Sequence, residues 1–592
     1  MTTAEDRLKP GTLTPGTLTA IDKSVRDRLA QTVFNATEQL DKGVLGQADQ
    51  VSLMPALARL SAFWALHPTQ AFDSARKYSQ KAMEASMAAA VRVIGGDAEG
   101  PAQPVKDKRF ADPAWQNNAY FWWLQQEYLL MNEAAIAMVE DAEISAMDRR
   151  KAAFATRTLL DAMSPTNVAV TNPTVLKKAI DTGGLSLARG MRAYLRDLAT
   201  NDGSPHQVAE GVHVVGRDLA VTPGKVVFRN ELMELIQYTP TTETVHETPL
   251  LFSPPWINKY YIVDLAPGRS LVEWAVAHGH TVFLISYRNP DESMAHVSLD
   301  DYLLAGPMTA LDVITDITGS EKVNILGVCL GGTLTMSTLA YLNATGQDRI
   351  NSATFLNTMI DFSEPGALGV FTDENTVAKL EKTMAKTGFL KGENMRKTFD
   401  YLRGNDLIWS YVVNNWLLGE DPPAFDLLTW NADSTRMPAD MHSFYLRSCY
   451  VENRLTQGKL ELAGQRLDLS TVNQDLYFLA AEQDHIAPWH SSYKGARFPA
   501  GDVRFVLSNS GHIAGIVNPP NPKSRHWVGA TPELPQDPEE WRATAVMHPV
   551  TWWEDWATWI GERAGKDRTP PPMGSAAHPA LGDAPGVYVF GK

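Results

Sequence analysis

This chain of 592 residues holds two cysteines, and one of them lies in a pattern that chemistry explains better than packing does. In Gly327-Val328-Cys329-Leu330-Gly331, glycines stand two residues before and two after Cys329. That spacing lets a strand reverse sharply into a helix and pushes the central residue into a strained, exposed position. The apolar run Val323-Asn324-Ile325-Leu326 supplies the strand, and the segment from Thr333 to Leu342 supplies the helix. Cys329 therefore reads as a nucleophile in the place serine usually holds. Cys449, in an aromatic run at 444–450, reads instead as a small buried hydrophobe.

A thiol nucleophile needs a base, and the base needs an orienting carboxylate. On this kind of turn they follow in the order nucleophile, acid, histidine. Asp484 comes a few residues after the strand-like Leu476-Tyr477-Phe478-Leu479-Ala480, and His512 follows the next strand, Phe505-Val506-Leu507. His485 lies beside Asp484 and is given no role. An oxyanion hole takes one backbone N–H from the residue after the nucleophile, here Leu330, and one from the loop after an earlier strand. That loop is Pro254-Pro255-Trp256-Ile257-Asn258-Lys259, with Ile257 as the expected donor and Trp256 as the alternative. Arg288, Lys259 and Arg403 have the charge to meet phosphates, but each reads first as a solvated or ion-paired side chain.

The elements needed to position these groups can be read from periodicity. From Ile21 to Arg196 apolar residues recur at helical spacing, as in Leu60-Ser61-Ala62-Phe63-Trp64 and Tyr120-Phe121-Trp122-Trp123-Leu124. The turn cluster Thr200-Asn201-Asp202-Gly203-Ser204-Pro205 ends that pattern. Strands are expected at 225–229, 233–238, 250–252, 282–286, 323–326, 353–357, 475–480 and 504–507, with helices between most of the later ones. Such alternation predicts a mostly parallel sheet covered by helices on both faces, with ligands beyond the carboxyl ends of the strands. Together with the elbow, it predicts an α/β-hydrolase fold preceded by a mostly helical N-terminal domain. The expected boundaries are 1–210 for the helical domain and 211–568 for the catalytic domain, with a cap or lid inserted at about 361–474. The proline-rich stretch 569–592 reads as an extended tail.

Composition narrows the class. With 44% hydrophobic and 20% charged residues, the chain can bury a large core. A net charge of −15 argues against nucleic acid as a partner. Two cysteines make no disulfide framework, no apolar run reaches the ~18 residues of a membrane span, and the start Met1-Thr2-Thr3-Ala4-Glu5-Asp6 lacks a secretory pattern. A cytoplasmic location is expected, with no metal and no cofactor.

The chain resembles the polyhydroxyalkanoate synthases of the larger, class I type. The likeness rests on several islands in order: Asp107-Lys108-Arg109-Phe110 with Trp115, Asp161-Ala162-Met163-Ser164-Pro165-Thr166-Asn167, Pro254 to Tyr261, Gly327 to Gly332, Leu402 to Trp409, Asp484-His485-Ile486, and Gly511 to Gly515 with Pro519-Pro520. The resemblance implies that (R)-3-hydroxyacyl-coenzyme A, 3-hydroxybutyryl first among them, is polymerised into a polyester with release of coenzyme A through a thioester on Cys329. It further implies that His512 takes the thiol proton, that Asp484 orients His512 or also assists the 3-hydroxyl, and that Trp430 and Arg403 belong to the lid. A homodimer, attachment to the polymer granule and granule-associated partner proteins are implied as well. Where the family often has cysteine before the loop isoleucine, this chain has Trp256. Two rivals keep the same residues: a cysteine-dependent thioesterase or depolymerase, and a catalytically silent granule protein.

Overall fold

The computed structural model describes residues 53–103, 106–209 and 211–592. The start of the helical stretch expected from Ile21, and Glu210 at the expected boundary, lie outside them. The chain divides into two compact units, Met1–Ile180 and Asp181–Lys592.

In the first unit the long helices Leu53–Leu66, Pro68–Val93, Ala119–Glu140 and Ala146–Ala162 carry the helical periodicity. Two of the sequence islands here are structural. Arg109 pairs with Asp107 at 2.8 Å and Asp161 at 3.3 Å, while Phe110 packs edge-on against Trp115. Asn167 Nδ2 donates to the Asp161 carbonyl at 2.8 Å and holds the turn that follows.

The second unit begins upstream of residue 210, because the helix Leu185–Thr200 packs within it. The buried Asp197 carboxylate accepts hydrogen bonds from Trp416 Nε1 at 2.8 Å and His206 Nδ1 at 2.7 Å. Gly190 lies so close to the Trp416 backbone that a Cβ there would stand 2.6 Å from its carbonyl carbon.

Among the described residues, eleven strands form one sheet. In chain order they are β1 (Gly224–Arg229), β2 (Met233–Tyr238), β3 (Leu250–Ser253), β4 (Val282–Tyr287), β5 (Val323–Val328), β6 (Ile350–Leu356), β7 (Asp475–Ala481), β8 (Val503–Ser508), β9 (His526–Val528), β10 (Val546–His548) and β11 (Gly582–Asp583). Their spatial order is β10-β9-β8-β7-β6-β5-β3-β4-β2-β1-β11. From β4 to β8 the neighbours pair in parallel, and the flanking strands pair antiparallel. β5 is buried along its whole length, as a central strand covered on both faces must be. This is the α/β-hydrolase fold. Since β4 lies on one side of β3 and β5 on the other, the chain order switches there, and a crevice opens beyond the carboxyl ends of β3 and β5.

The eight expected strands are all present. The three missed ones are only two or three residues long, and β10 is exposed throughout, so neither length nor alternation marks it. The stretch 569–592 is anchored to the domain. β11 pairs with β1, and the buried Glu234 carboxylate accepts the Val587 and Tyr588 N–H groups at 2.9 Å each. Buried Lys259 donates to the carbonyls of Val589 at 2.6 Å and Gly591 at 2.8 Å. Proline-rich composition signals irregular backbone, and here buried charges fix that backbone in place.

Segment 361–474 enters between β6 and β7. It holds the helices Glu374–Met384, Gly392–Leu402, Asp426–Ala432 and Ala439–Tyr445, with π-helical turns at Asn405–Trp409, Val412–Leu417 and Leu446–Val451. After β10, the helix Trp552–Gly561 buries Trp552, Trp553 and Trp556 under the sheet. Their indole N–H groups reach Gly515 O at 2.8 Å, Ile516 O at 3.0 Å and Thr354 Oγ1 at 3.0 Å. Two of these bonds hold the short helix His512–Ile516. Trp552→Phe keeps most of the packing but strands the Gly515 carbonyl, so urea denaturation should show a loss of about 1–3 kcal/mol.

Candidate active site

The elbow forms as the glycine spacing requires. Cys329 has φ 49° and ψ −116°, between the end of β5 and the helix Leu330–Ala344. A non-glycine residue held at positive φ is strained, and such strain persists only where the surroundings enforce it. Here the Cys329 N–H donates to Leu356 O at 2.8 Å, and both flanking glycines are needed for space. A Cβ on Gly327 would lie 2.5 Å from Gly332 Cα and 2.6 Å from Thr335 Oγ1. On Gly331 it would overlap the Ser253 carbonyl and stand 2.6 Å from Pro254 O. The start of the elbow helix therefore lies directly against the end of β3, where the loop carrying Ile257 begins.

That loop is pinned from the inserted segment. Thr435 Oγ1 donates to Trp256 O at 2.9 Å and accepts from Asn258 N at 2.9 Å, bracketing Ile257 on both sides. Asn258 takes a left-handed φ of 62°, and Trp430 Nε1 donates to Lys259 O at 2.7 Å. The elbow that carries Leu330 and the loop that carries Ile257, the two expected oxyanion donors, thus meet where Gly331 abuts Ser253 and Pro254.

His512 and Asp484 meet as their order predicted. His512 Nδ1 donates to Asp484 Oδ2 at 2.6 Å, and both side chains are buried. The other carboxylate oxygen accepts the N–H groups of Ile486 at 2.8 Å and Ala487 at 2.9 Å, which fixes the carboxylate's orientation. Burial alone would lower the imidazole's pKa, but the Asp484 carboxylate and the Cys329 sulfur outweigh it and hold it well above its ordinary value.

Residues 106–275 match the family described as the N-terminus of poly-beta-hydroxybutyrate polymerase (PhaC), and residues 267–519 match the alpha/beta hydrolase fold. The poly(3-hydroxyalkanoate) polymerase of Methylorubrum extorquens is 45% identical over 549 residues, covering 92% of this chain and 91% of that one. The poly(3-hydroxyalkanoate) polymerase subunit PhaC of Cupriavidus necator is 43% identical over 506 residues, covering 84% and 85%. The chain belongs to the polyhydroxyalkanoate synthase family. It is an acyltransferase of the class I-like type.

The remaining expected residues of the synthase fall into distinct environments. Trp430 is buried beneath the Ile257 loop, whereas Arg403 pairs with Asp406 and passes 3.9 Å from the position a Cβ would take on Gly511, next to His512. Lys259 is taken up by the C-terminal stretch and by Asp433 at 3.0 Å, and Arg288 by Asp291 at 2.5 Å. His485 is neutral near pH 7, because burial pushes its pKa down to about 4. Cys449 is 1% exposed, and burial pushes its thiol up to about 12.

Three groups were not singled out by sequence. Asn357, at the carboxyl end of β6 with φ 45°, donates through Nδ2 to the His512 carbonyl. Its place just past a central strand was the available signal. Tyr445 and Tyr450 pack edge-on with ring centroids 5.6 Å apart. They were read only as part of an aromatic run.

Two outcomes follow from this geometry. Gly331→Ala must displace the loop after β3, so its coenzyme A release rate should fall at least about 100-fold, with circular dichroism showing the fold retained. In native protein near pH 7.5, iodoacetamide should modify Cys329 and spare Cys449, as peptide mass spectrometry can read directly. Labelling of Cys449 at a comparable rate would contradict its burial.

Proposed function

We propose that the synthase carries (R)-3-hydroxyacyl groups, 3-hydroxybutyryl first among them, as thioesters on Cys329 and transfers them to a 3-hydroxyl to lengthen a polyester. The observation that carries this reading is the buried His512–Asp484 hydrogen bond in a structure that holds Cys329 at positive φ on the elbow between β5 and its helix.

In the acylation step the Cys329 proton passes to His512 Nε2, and the thiolate attacks the thioester carbonyl of the coenzyme A substrate. The developing oxyanion is met by the N–H groups of Leu330 and Ile257. As the tetrahedral intermediate collapses, coenzyme A leaves as a thiol with the proton from His512. One thioester has replaced another, so the acyl group remains activated. In the transfer step His512 takes the proton of an incoming 3-hydroxyl, the oxygen attacks the acyl carbonyl, and an ester forms as Cys329 is released and reprotonated. Asp484 holds the imidazole in the tautomer this requires and stabilises its charged form.

Hydrolysis competes at the transfer step, and exclusion of water is the role we assign to segment 361–474 as a lid, with Trp430 and Arg403 in it. A homodimer working in the cytoplasm at the surface of the polymer granule, with granule-associated proteins nearby, completes the reading. No helix among the described residues is long and apolar enough to cross a membrane, so the proposed granule contact is peripheral.

The test supplies (R)-3-hydroxybutyryl-coenzyme A, follows thiol release and identifies the product by mass spectrometry. Oligoesters are expected. Free 3-hydroxybutyrate alone would make the protein a thioesterase on the same residues, and the absence of any turnover would favour a silent granule protein. Cys329→Ala should lower thiol release by more than about 10³-fold, and full activity in that variant would remove the proposed nucleophile.

A further inference from the structure

We propose that residues 587–592 brace the loop that carries Ile257: they grip the buried Lys259 ammonium, and that grip keeps the oxyanion donor two residues upstream in place. Lys259 is then a positioning residue for the reaction and not a partner of coenzyme A phosphates. The inference deepens the reading of Ile257 as an oxyanion donor and rests on it.

An ammonium has three N–H groups to satisfy, and that of Lys259 finds three acceptors. Nζ donates to Val589 O at 2.6 Å and to Gly591 O at 2.8 Å, and it pairs with Asp433 at 3.0 Å. Two of the three partners therefore lie 330 and 332 residues later in the chain. The stretch that supplies them is itself seated at several points. The Glu234 carboxylate on β2 accepts the N–H groups of Val587 and Tyr588 at 2.9 Å each, and the Tyr588 hydroxyl donates to Asn230 O at 2.7 Å. Val589 is buried in the same apolar cluster as Tyr260 and Tyr261, which follow Lys259 directly. Asn289, just past β4, donates to Gly591 O at 3.3 Å, and Arg436 Nη1 donates to Lys592 O at 3.0 Å. Arg436 follows Thr435, whose hydroxyl brackets Ile257, and its own N–H donates to Asn289 Oδ1 at 2.8 Å. Residues 587–592 thus meet both the loop, at Lys259, and the stretch that pins the loop, at Arg436.

A charge taken out of water depends on its partners, and one left with too few of them is strongly disfavoured. Without the two carbonyls, Lys259 would keep only Asp433. The residue is 6% exposed, so its ammonium can regain solvent only if the backbone around it moves. Asn258, the single residue between Lys259 and Ile257, stands at a left-handed φ of 62°, a conformation that persists where the surroundings enforce it. Movement at 258–259 therefore redirects the Ile257 N–H. An oxyanion donor acts only at hydrogen-bond distance from the place where charge develops, so a small displacement is enough to weaken it. Fastening a terminal stretch to a sheet requires no buried charge, since apolar contacts do so at lower cost. A buried lysine here makes sense when the stretch and the loop must hold each other in one position.

The experiment takes the full-length protein and the variants Lys259→Met, Val589→Lys and Thr435→Val. It measures kcat and KM for (R)-3-hydroxybutyryl-coenzyme A as coenzyme A release, and beside them the rate at which iodoacetamide alkylates Cys329. Alkylation needs a reactive thiol but no oxyanion hole. Lys259→Met keeps the length of the side chain and removes the ammonium, while Val589→Lys puts a second ammonium into a seat that already holds one. Each should lower kcat by about ten- to a hundredfold, with KM within about threefold of the native value. Alkylation of Cys329 should stay within about threefold as well. Because both substitutions break the same grip, the double variant should lose no more than about threefold beyond either one. A kcat within about twofold of native in Lys259→Met would overturn the proposal, and so would alkylation that falls in step with turnover. If either variant fails to fold, the other decides. Thr435→Val loosens the same loop by a different bond and tests the premise separately. A lowered kcat there beside an unchanged one in Lys259→Met sinks the brace and leaves the oxyanion reading standing, whereas an unchanged kcat in both removes that reading and the brace with it.

Discussion

The contact between the start of the elbow helix and the carboxyl end of β3 is the constraint on which the rest of the site depends. It exists because Gly331 has no side chain. With it, the start of the elbow helix abuts the backbone that opens the Ile257 loop, and Cys329 stands at a positive φ that a free peptide would rarely hold. Strain of this kind has to be enforced from outside, and the enforcement is visible on both sides of the elbow. Leu356 O fixes the Cys329 N–H from β6, and the long buried helix Leu330–Ala344 fixes the exit direction. The geometry is thus a property of the sheet and the helix together.

The acid-base half is built separately and brought to the elbow by strand order. β7 and β8 are parallel neighbours, so the loops after them carry Asp484 and His512 to the same edge as Cys329. Each of the two residues is then held by hydrogen bonds of its own. Two backbone N–H groups orient the Asp484 carboxylate, while Asn357 takes the His512 carbonyl and two tryptophans take the carbonyls of Gly515 and Ile516. The imidazole is consequently held through Nδ1 by a carboxylate that is itself fixed. A buried histidine would ordinarily prefer to be neutral. Burial alone would lower its pKa, and the Asp484 carboxylate outweighs that and raises it.

Much of this was legible in the sequence, and the reasons differ by element. The central strands were readable because parallel strands buried on both faces are continuous apolar runs, and the elbow because its glycines answer a steric demand that few other arrangements make. Position after a strand was enough to find Asp484 and His512. It would have found Asn357 too, had the same rule been applied to the strand ending at Leu356. The short strands β9 to β11 were not readable, since two or three residues carry no period. Nor was the anchoring of 569–592, which depends on Glu234 and Lys259 being buried hundreds of residues away in sequence. The placement of Leu185–Thr200 with the second unit turned on two glycine-width approaches, at Gly190 and Gly419, that periodicity does not encode.

The anchors of segment 361–474 converge on the loop that carries Ile257. Thr435 brackets Ile257, Trp430 holds the Lys259 carbonyl, Asp433 accepts from Tyr261 at 2.9 Å and pairs with Lys259, and Asp426 pairs with Arg269 farther along. Three side chains from one stretch, 430–435, therefore fix a loop whose own prolines have no N–H to donate. Any displacement of that stretch must either break these bonds or carry the loop with it. Under the proposed mechanism, opening the cover to admit a substrate would also disturb one oxyanion donor, and closing it would restore that donor. Exclusion of water and stabilisation of the oxyanion are then coupled by geometry, which favours reaction only when the acyl group is shielded. That coupling suits an enzyme whose acyl thioester has to survive until a hydroxyl, and not water, arrives.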